Sequence, residues 1–210
     1  RAAVDPSITT ATLDGFNVWG FVSEYNGTIF TKKEVEKFAE GDWRYDGTQY
    51  WVPNKPYYFA ALAPMNSENF DVELAVYASA KFGLGTVKFE NINGTEDLLY
   101  AYQTATGQTT GNNQKVAFTF DHILSKVKFS FTNGFDNDNA YIDVKNIKMV
   151  VPATADIDVN VADWWSTNEW ALGADRFDLE FGDVARLAIG ETDECAQERL
   201  TIPAGTDEVY

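Results

Sequence analysis

Alternating apolar side chains dominate this chain, and in two segments both alternating faces are apolar. Residues 16–22 (FNVWGFV) place phenylalanine and valine on one face, with tryptophan and phenylalanine on the other. Residues 57–62 (YYFAAL) have the same character. Because successive side chains of a strand point to opposite faces, these segments predict strands buried on both sides, at the centre of a sheet.

Similar alternation predicts strands along most of the chain. The further candidates are residues 72–77, 86–89, 116–120, 127–131, 141–151, 157–161, 177–181 and 200–202. Pairs that tolerate positive φ, such as Asn93-Gly94 and Asn133-Gly134, separate several of them. Many short strands with such turns predict an all-β sandwich or barrel.

Helix signals are scarce. Residues 31–40 (TKKEVEKFAE) predict one helix, since a threonine N-cap candidate precedes an apolar stripe and Gly41 follows as a stop. Residues 97–102 fit either one helical turn or a short strand.

Two changes of parity interrupt the alternation. The apolar residues of 116–120 and of 127–131 have opposite parity, and a second change falls inside 141–151. We expect a β-bulge or sharp bend in each place, restoring the inward face.

Two polar or irregular segments organise the chain. Residues 103–115 (QTATGQTTGNNQK) contain no apolar side chain longer than alanine and predict an exposed loop. Residues 151–156 (VPATAD) interrupt the strand pattern and are the best domain boundary. The expected domains are therefore residues 1–151 and 152–210.

Charge and composition exclude several classes of partner. The chain carries 16 Lys and Arg against 32 Asp and Glu, a net charge of −16, which disfavours nucleic acid and anionic lipid. Its single cysteine, Cys195, rules out an internal disulfide. No apolar run approaches the roughly 20 residues that a membrane span requires.

Several segments, taken in order, resemble the fimbrillin-like family, the subunits of type V pili of Bacteroidota. Residues 116–132 (VAFTFDHILSKVKFSFT) resemble the strand, His-x-Leu-Ser-Lys-Val and strand typical of that family. Residues 97–101 (DLLYA) resemble its "DLL-x-A" segment. Residues 50–64, from a Trp-Val-Pro to YYFAALAP, and the opening strand at 16–23 fit as well.

The resemblance implies two transthyretin-like Greek-key β-sandwich domains and a structural subunit of a cell-surface fimbria that supports adhesion, not an enzyme. It implies export as a lipoprotein precursor, association with the outer membrane, and removal of a leading strand by a trypsin-like protease. The vacated groove then receives a donor strand from a neighbouring subunit, so other fimbrial subunits are the expected partners. Strand addition to an open sheet edge supplies backbone hydrogen bonds and register.

Both ends of the chain bear on this expectation. Arg1 and Ala2 have the residue types of the processing cut, which would fall after Arg1; an arbitrary boundary or a signal-peptidase product is the alternative. Relatives continue with long strands beyond the segment that resembles residues 198–203 (ERLTIP). We therefore expect a truncated chain with an incomplete second domain.

A tryptophan cluster supports an alternative function. Trp164, Trp165 and Trp170 lie within seven residues (WWSTNEW), and their faces could stack on sugar rings. The alternative is a surface glycan-binding or adhesin module at a fimbrial tip. Packing of these rings on a sandwich edge, or between domains, is the structural interpretation.

Catalytic and metal-binding signals are weak. His122 is the only histidine and no Gly-x-Ser-x-Gly segment accompanies it, so we expect a structural, hydrogen-bonded histidine. Cys195 lies beside Asp193 and Glu194, and we expect no nucleophilic role for it. One histidine and one cysteine cannot form a zinc site of the usual kind, and residues 136–139 (DNDN) lack the full calcium loop. We expect no catalytic residue, metal or cofactor, with a sandwich-fold hydrolase as the remaining alternative.

Overall fold

The computed structural model describes residues 7–22, 27–39, 41–73, 85–91, 93–109, 114–136, 139–159 and 170–203, and every regular element in these ranges is a β-strand. In chain order the strands are β1 (Gly15–Val22), β2 (Gly27–Ala39), β3 (Asp42–Arg44), β4 (Pro56–Ala63), β5 (Phe70–Glu73), β6 (Gly85–Glu90), β7 (Leu99–Thr106), β8 (Asp121–His122), β9 (Ser125–Val127), β10 (Ser130–Thr132), β11 (Ile142–Pro152), β12 (Thr154–Val159), β13 (Ala171–Leu172), β14 (Arg176–Leu187), β15 (Thr192–Glu194) and β16 (Arg199–Thr201). The predicted all-β class is confirmed. Transthyretin-like connectivity stays a prediction.

Two sheets enclose the first core. The larger has six strands in the order β3-β2-β1-β4-β7-β8, and the smaller has four in the order β13-β12-β6-β5. Trp19 and Leu62 of the larger sheet belong to one buried cluster with Phe70, Val87 and Phe89 of the smaller sheet. Trp19 is only 2% exposed, so this cluster is a dry sandwich core.

A second core forms around the pair β11-β14. Leu179 and Phe181 of β14 are buried there, and Phe129 meets Phe181 edge-on at a centroid distance of 4.8 Å. Strands β9 and β10 flank Phe129 in sequence and pair with β16 and β15, respectively. Leu200 of β16 is buried in the first core. β12 follows β11 yet pairs with β6 of the first sandwich. The predicted boundary at residues 151/152 stays a prediction.

The change of parity inside residues 141–151 is a bulge, as predicted. The β11-β14 register shifts between Val144 and Ile147, where Asn146 has φ 56°. The backbone amide of Asn146 donates to Asp183 Oδ1 at 2.8 Å. The extra residue returns Ile147 to the same core that Val144 faces.

The helix predicted for residues 31–40 is wrong, because residues 31–39 belong to β2. Strand β2 pairs with β1 from Gly27 to Glu36, and Val35 is buried against the larger sheet while Phe38 is 66% exposed. A ten-residue helix is marginal in isolation. Backbone pairing with a fully buried neighbour therefore outweighs local propensity.

Residues 116–120 do not form the predicted strand, and the parity change after them serves another purpose. Val116, Phe118 and Phe120 pack against the outer face of the larger sheet. Phe129 and Phe131 pack into the second core instead. The change therefore passes the chain from one core to another and does not restore a common inward face.

The bulge at Asn146 yields a stability prediction. Replacement by valine should lower the free energy of unfolding by about 1–2 kcal/mol, because a β-branched residue resists left-handed φ. Replacement by glycine should change it little. Urea unfolding checks both, with exposed Lys145→Val as the matched control on the same strand. Equal effects of valine at both positions would contradict the assignment of strain to the bulge.

Candidate functional site

A groove runs along the outer face of the six-stranded sheet, the face turned away from the smaller sheet. It has a volume of about 960 Å³. Its floor is apolar, formed by Phe16 and Val18 of β1, Tyr57 and Phe59 of β4, and Leu99 of β7. These residues alternate with those that fill the first core, so the larger sheet buries apolar side chains on both faces.

Among the described residues, irregular chain and not a second sheet covers this outer face, in residues 8–13, 45–51 and 114–120. The remaining lining comes from residues 29–35 of β2, residues 41–43 and His122. In the last of these, Phe118 and Phe120 approach Phe16 at centroid distances of 5.7 and 5.1 Å. The cover is held by side-chain packing and leaves the groove open.

The edge of β7 beside this cover lacks a backbone ladder. β8 pairs with β7 only at Leu99 and Tyr100. Between described residues 101–106 and 114–120 no backbone–backbone hydrogen bond forms. Among the described residues, residues 101–106 of β7 therefore have no backbone partner on this side and form an open edge about six residues long.

The Gln103 side chain bridges the gap at this edge. Its Oε1 accepts from the Thr104 amide at 3.2 Å, and its Nε2 donates to the Ala117 carbonyl at 3.1 Å. One side-chain amide thus occupies the place of a direct ladder bond. Such a bridge contributes about 0.5–1.5 kcal/mol per hydrogen bond and is easily exchanged.

Gly107 explains why the ladder stops. Its amide donates to the Lys55 carbonyl at 2.9 Å, and its carbonyl accepts from Asn54 at 2.8 Å. A Cβ on Gly107 would come within 2.0 Å of the Val52 carbonyl oxygen, so only glycine fits. The chain is pinned to residues 52–55 and does not turn straight back onto β7.

A buried carboxylate joins two walls of the groove. Asp97 Oδ2 accepts from the Ile8 amide and from His122 Nδ1, both at 2.7 Å. Ile8 and His122 line the groove, and the Asp97 side chain is fully buried. Asp97 Oδ1 is buried without a hydrogen-bond partner among the described residues, which costs about 1–3 kcal/mol. His122 is the hydrogen-bonded histidine that the sequence led us to expect.

The groove is less acidic than the chain as a whole. Lys33 and Lys115 line it, and the one described carboxylate in its lining, Asp42, is paired with Arg44 at 2.7 Å. In a chain of net charge −16, this lowers the repulsion that an acidic partner meets there.

The inner face of β7 packs into the first core through Tyr100 and Tyr102. Burial, with Tyr58 nearby, raises the pKa of Tyr102 to about 12. Burial, and secondarily Tyr102, also raises the pKa of Tyr100. Both phenols stay neutral at physiological pH.

The structure describes only one of the three tryptophans that form the candidate glycan contact. Trp164 and Trp165 lie outside the described residues, as do Arg1 and Ala2. Trp170 is partly buried, packs against the first core and meets Phe89 at a centroid distance of 6.5 Å. Its position fits the structural interpretation, and the glycan role of the cluster stays a prediction.

No metal site is found in the part of the chain that the structure describes: it contains no group of three His, Cys, Asp or Glu residues able to hold an ion. Asp136 and Asn139 of the acidic turn are exposed, and the two residues between them lie outside the described ranges. Cys195 is 1% exposed, and its thiol donates to the Gln197 carbonyl at 3.1 Å.

Sequence reasoning missed the two residues that shape the edge. Residues 103–106 are the end of β7, not part of the predicted exposed loop, and Gly107 is buried. The Gln103 bridge spans 14 residues and leaves no local signal. Asp97 and His122 belong to separate sequence motifs, and neither motif indicates that the two side chains bond to each other.

Comparisons with known proteins agree with this architecture. A family model described as fimbrillin-like matches residues 1–202. A crystal structure from Bacteroides ovatus ATCC 8483, provisionally described as a cell adhesion protein, is similar with a TM-score of 0.53 and 16% sequence identity. That match covers 96% of this chain and 71% of the other, and at this identity it shows a shared fold. No curated protein matches the chain.

The Gln103 bridge yields a prediction about the cover. Gln103→Leu should expose the peptide bond after Lys115 and speed its cleavage by trypsin by about 2- to 10-fold, as expected for losing one net hydrogen bond. Timed digestion with mass spectrometry measures this. Gln108→Leu, at an exposed position beyond β7, is the matched control. Equal cleavage rates in both variants and the parent would show that Gln103 does not hold the cover.

Proposed function

Since the chain belongs to the fimbrillin-like family, we propose that it is a structural subunit of a cell-surface fimbria whose groove accepts a strand from a neighbouring subunit. Family membership makes it a fimbrial or adhesion subunit at the cell surface, in a family of structural and adhesion proteins and not of enzymes. Other fimbrial subunits are its partners. The described residues contain no helix that is long and apolar enough to cross a membrane.

The open edge that β7 has among the described residues, beside an apolar groove, supports the proposal. An incoming strand with apolar residues at every second position can fill the groove as Val116, Phe118 and Phe120 now do in part. Unlike residues 116–120, it can also form ladder hydrogen bonds with β7, each worth about 0.5–1.5 kcal/mol net.

Additional burial is needed, because association costs about 4–15 kcal/mol in lost translational and rotational freedom. The groove, with a volume of about 960 Å³, has room to bury apolar side chains of an incoming strand. Each large apolar side chain that becomes fully buried contributes about 1.5–3 kcal/mol. Several such side chains on one donor strand therefore offset the cost of assembly.

Processing belongs to the same proposal. Cleavage after Arg1, following export as a lipoprotein precursor to the outer membrane, would release a leading strand and prepare the subunit for a donor. This step rests on the residue types at Arg1-Ala2 and on the family, as does the adhesive role of the assembled fimbria.

Assembly can be tested at a single backbone amide. The Thr104 amide donates to the Gln103 side chain at this edge, so Thr104→Pro should remove that donor, and we expect the β4-β7 ladder to stay in place. We expect the processed full-length protein to form filaments in electron micrographs and ladders on unboiled gels. Thr104→Pro should abolish both while keeping a native circular dichroism spectrum.

Thr109→Pro, at an exposed position outside β7, is the matched control and should assemble normally. Normal assembly of folded Thr104→Pro would rule out the β7 edge as the acceptor. No ladders or filaments from the parent protein would argue against a stalk subunit.

A further inference from the structure

The chain that precedes β1 closes one end of the groove. Residues 7–13, here called the lid segment, contribute Ile8, Thr9, Thr10 and Leu13 to the lining. The segment folds into a turn in which the Leu13 amide donates to the Thr9 carbonyl at 2.8 Å. Leu13 is buried at its far end, next to β1, so the segment is anchored there by packing.

Near its other end, the lid segment bonds to a buried carboxylate. The Ile8 amide donates to Asp97 Oδ2, a contact that spans 89 residues. Near the middle, Lys37 Nζ donates to the carbonyls of Thr10 and Ala11 at 3.4 and 3.3 Å, both at the surface. The two Lys37 bonds are exposed, whereas the bond from Ile8 is part-buried and its acceptor side chain is fully buried.

We propose that Asp97 is a latch, oriented by His122, that holds the lid segment over the groove and controls access to it. His122 Nδ1 donates to the same Oδ2 at 2.7 Å and so fixes the carboxylate from the opposite wall. Asp97 is a positioning residue, since it joins Ile8 to His122 but does not itself line the groove.

The latch is built to be released. Asp97 Oδ1 is buried without a hydrogen-bond partner among the described residues, which lowers the stability of the closed state. His122 is 49% exposed on its side chain and can leave for solvent without a large desolvation change. Opening therefore breaks two hydrogen bonds but lets water reach both carboxylate oxygens.

Release of the latch would open the groove before a donor strand enters. The entry of a donor strand rests on the proposed function. The latch itself is a property of the monomer. It connects two motif residues, Asp97 and His122, that lie 25 positions apart in the sequence.

Amide hydrogen exchange of the monomer tests the latch directly. Asp97→Ala should speed exchange at the Ile8 amide by at least about tenfold, as expected when a buried charged acceptor is removed. Asp97→Asn keeps one acceptor oxygen and should restore part of the protection. The amides of β11 and β14 should keep their protection in both variants, which shows that the fold is intact.

Groove access is the second readout. The apolar dye anilinonaphthalene sulfonate should bind Asp97→Ala more strongly than the parent, with Asp121→Ala, an exposed acid beside His122, as the matched control. Unchanged Ile8 exchange would overturn the latch, and faster exchange without greater dye binding would overturn the lid.

If Asp97→Ala loses protection in β11 and β14, the test uses His122→Gln instead. That variant removes the bond from His122 to Asp97 and keeps the bond from the Ile8 amide. It should speed Ile8 exchange by a smaller factor, and no change would overturn the role of His122. None of these measurements requires assembly, so they can fail while filaments form, or succeed while none do.

Discussion

Burial of β1 on both faces is the constraint on which the rest of the structure depends. Every residue of β1 is buried, and its neighbours β4 and β7 also place apolar residues on both sides of the sheet. The smaller sheet covers the inner face. Among the described residues, irregular chain covers the outer one and leaves a groove of about 960 Å³ and the edge of β7 without a full ladder. The proposed strand addition would give this outer face the regular cover that the inner face already has.

Much of this architecture can be predicted from local patterns, and the departures have physical causes. Residues 16–22 showed two apolar faces, and the parity change in residues 141–151 located the bulge at Asn146. Residues 31–40 misled because their helix-like spacing is overridden by pairing with β1. Gly107 binds residues 52–55, a distant contact without a sequence signal, and this contact takes the ladder away from residues 116–120.

Two segments that the family resemblance groups together have separate places in the structure. The DLLYA segment supplies Asp97, which accepts from the Ile8 amide, and then begins β7. His122 lies where β8 ends its brief pairing with β7 and also bonds to Asp97. These motif residues help to shape the groove, in agreement with a fimbrial or adhesion subunit.

A cryo-electron microscopy map of assembled filaments would show directly which segment fills the groove. We expect density for a strand from the adjacent subunit alongside residues 101–106, with alternate side chains inside the groove and residues 114–120 moved from their present position. Filaments in which residues 114–120 still cover the groove, with the contact between subunits elsewhere, would contradict it.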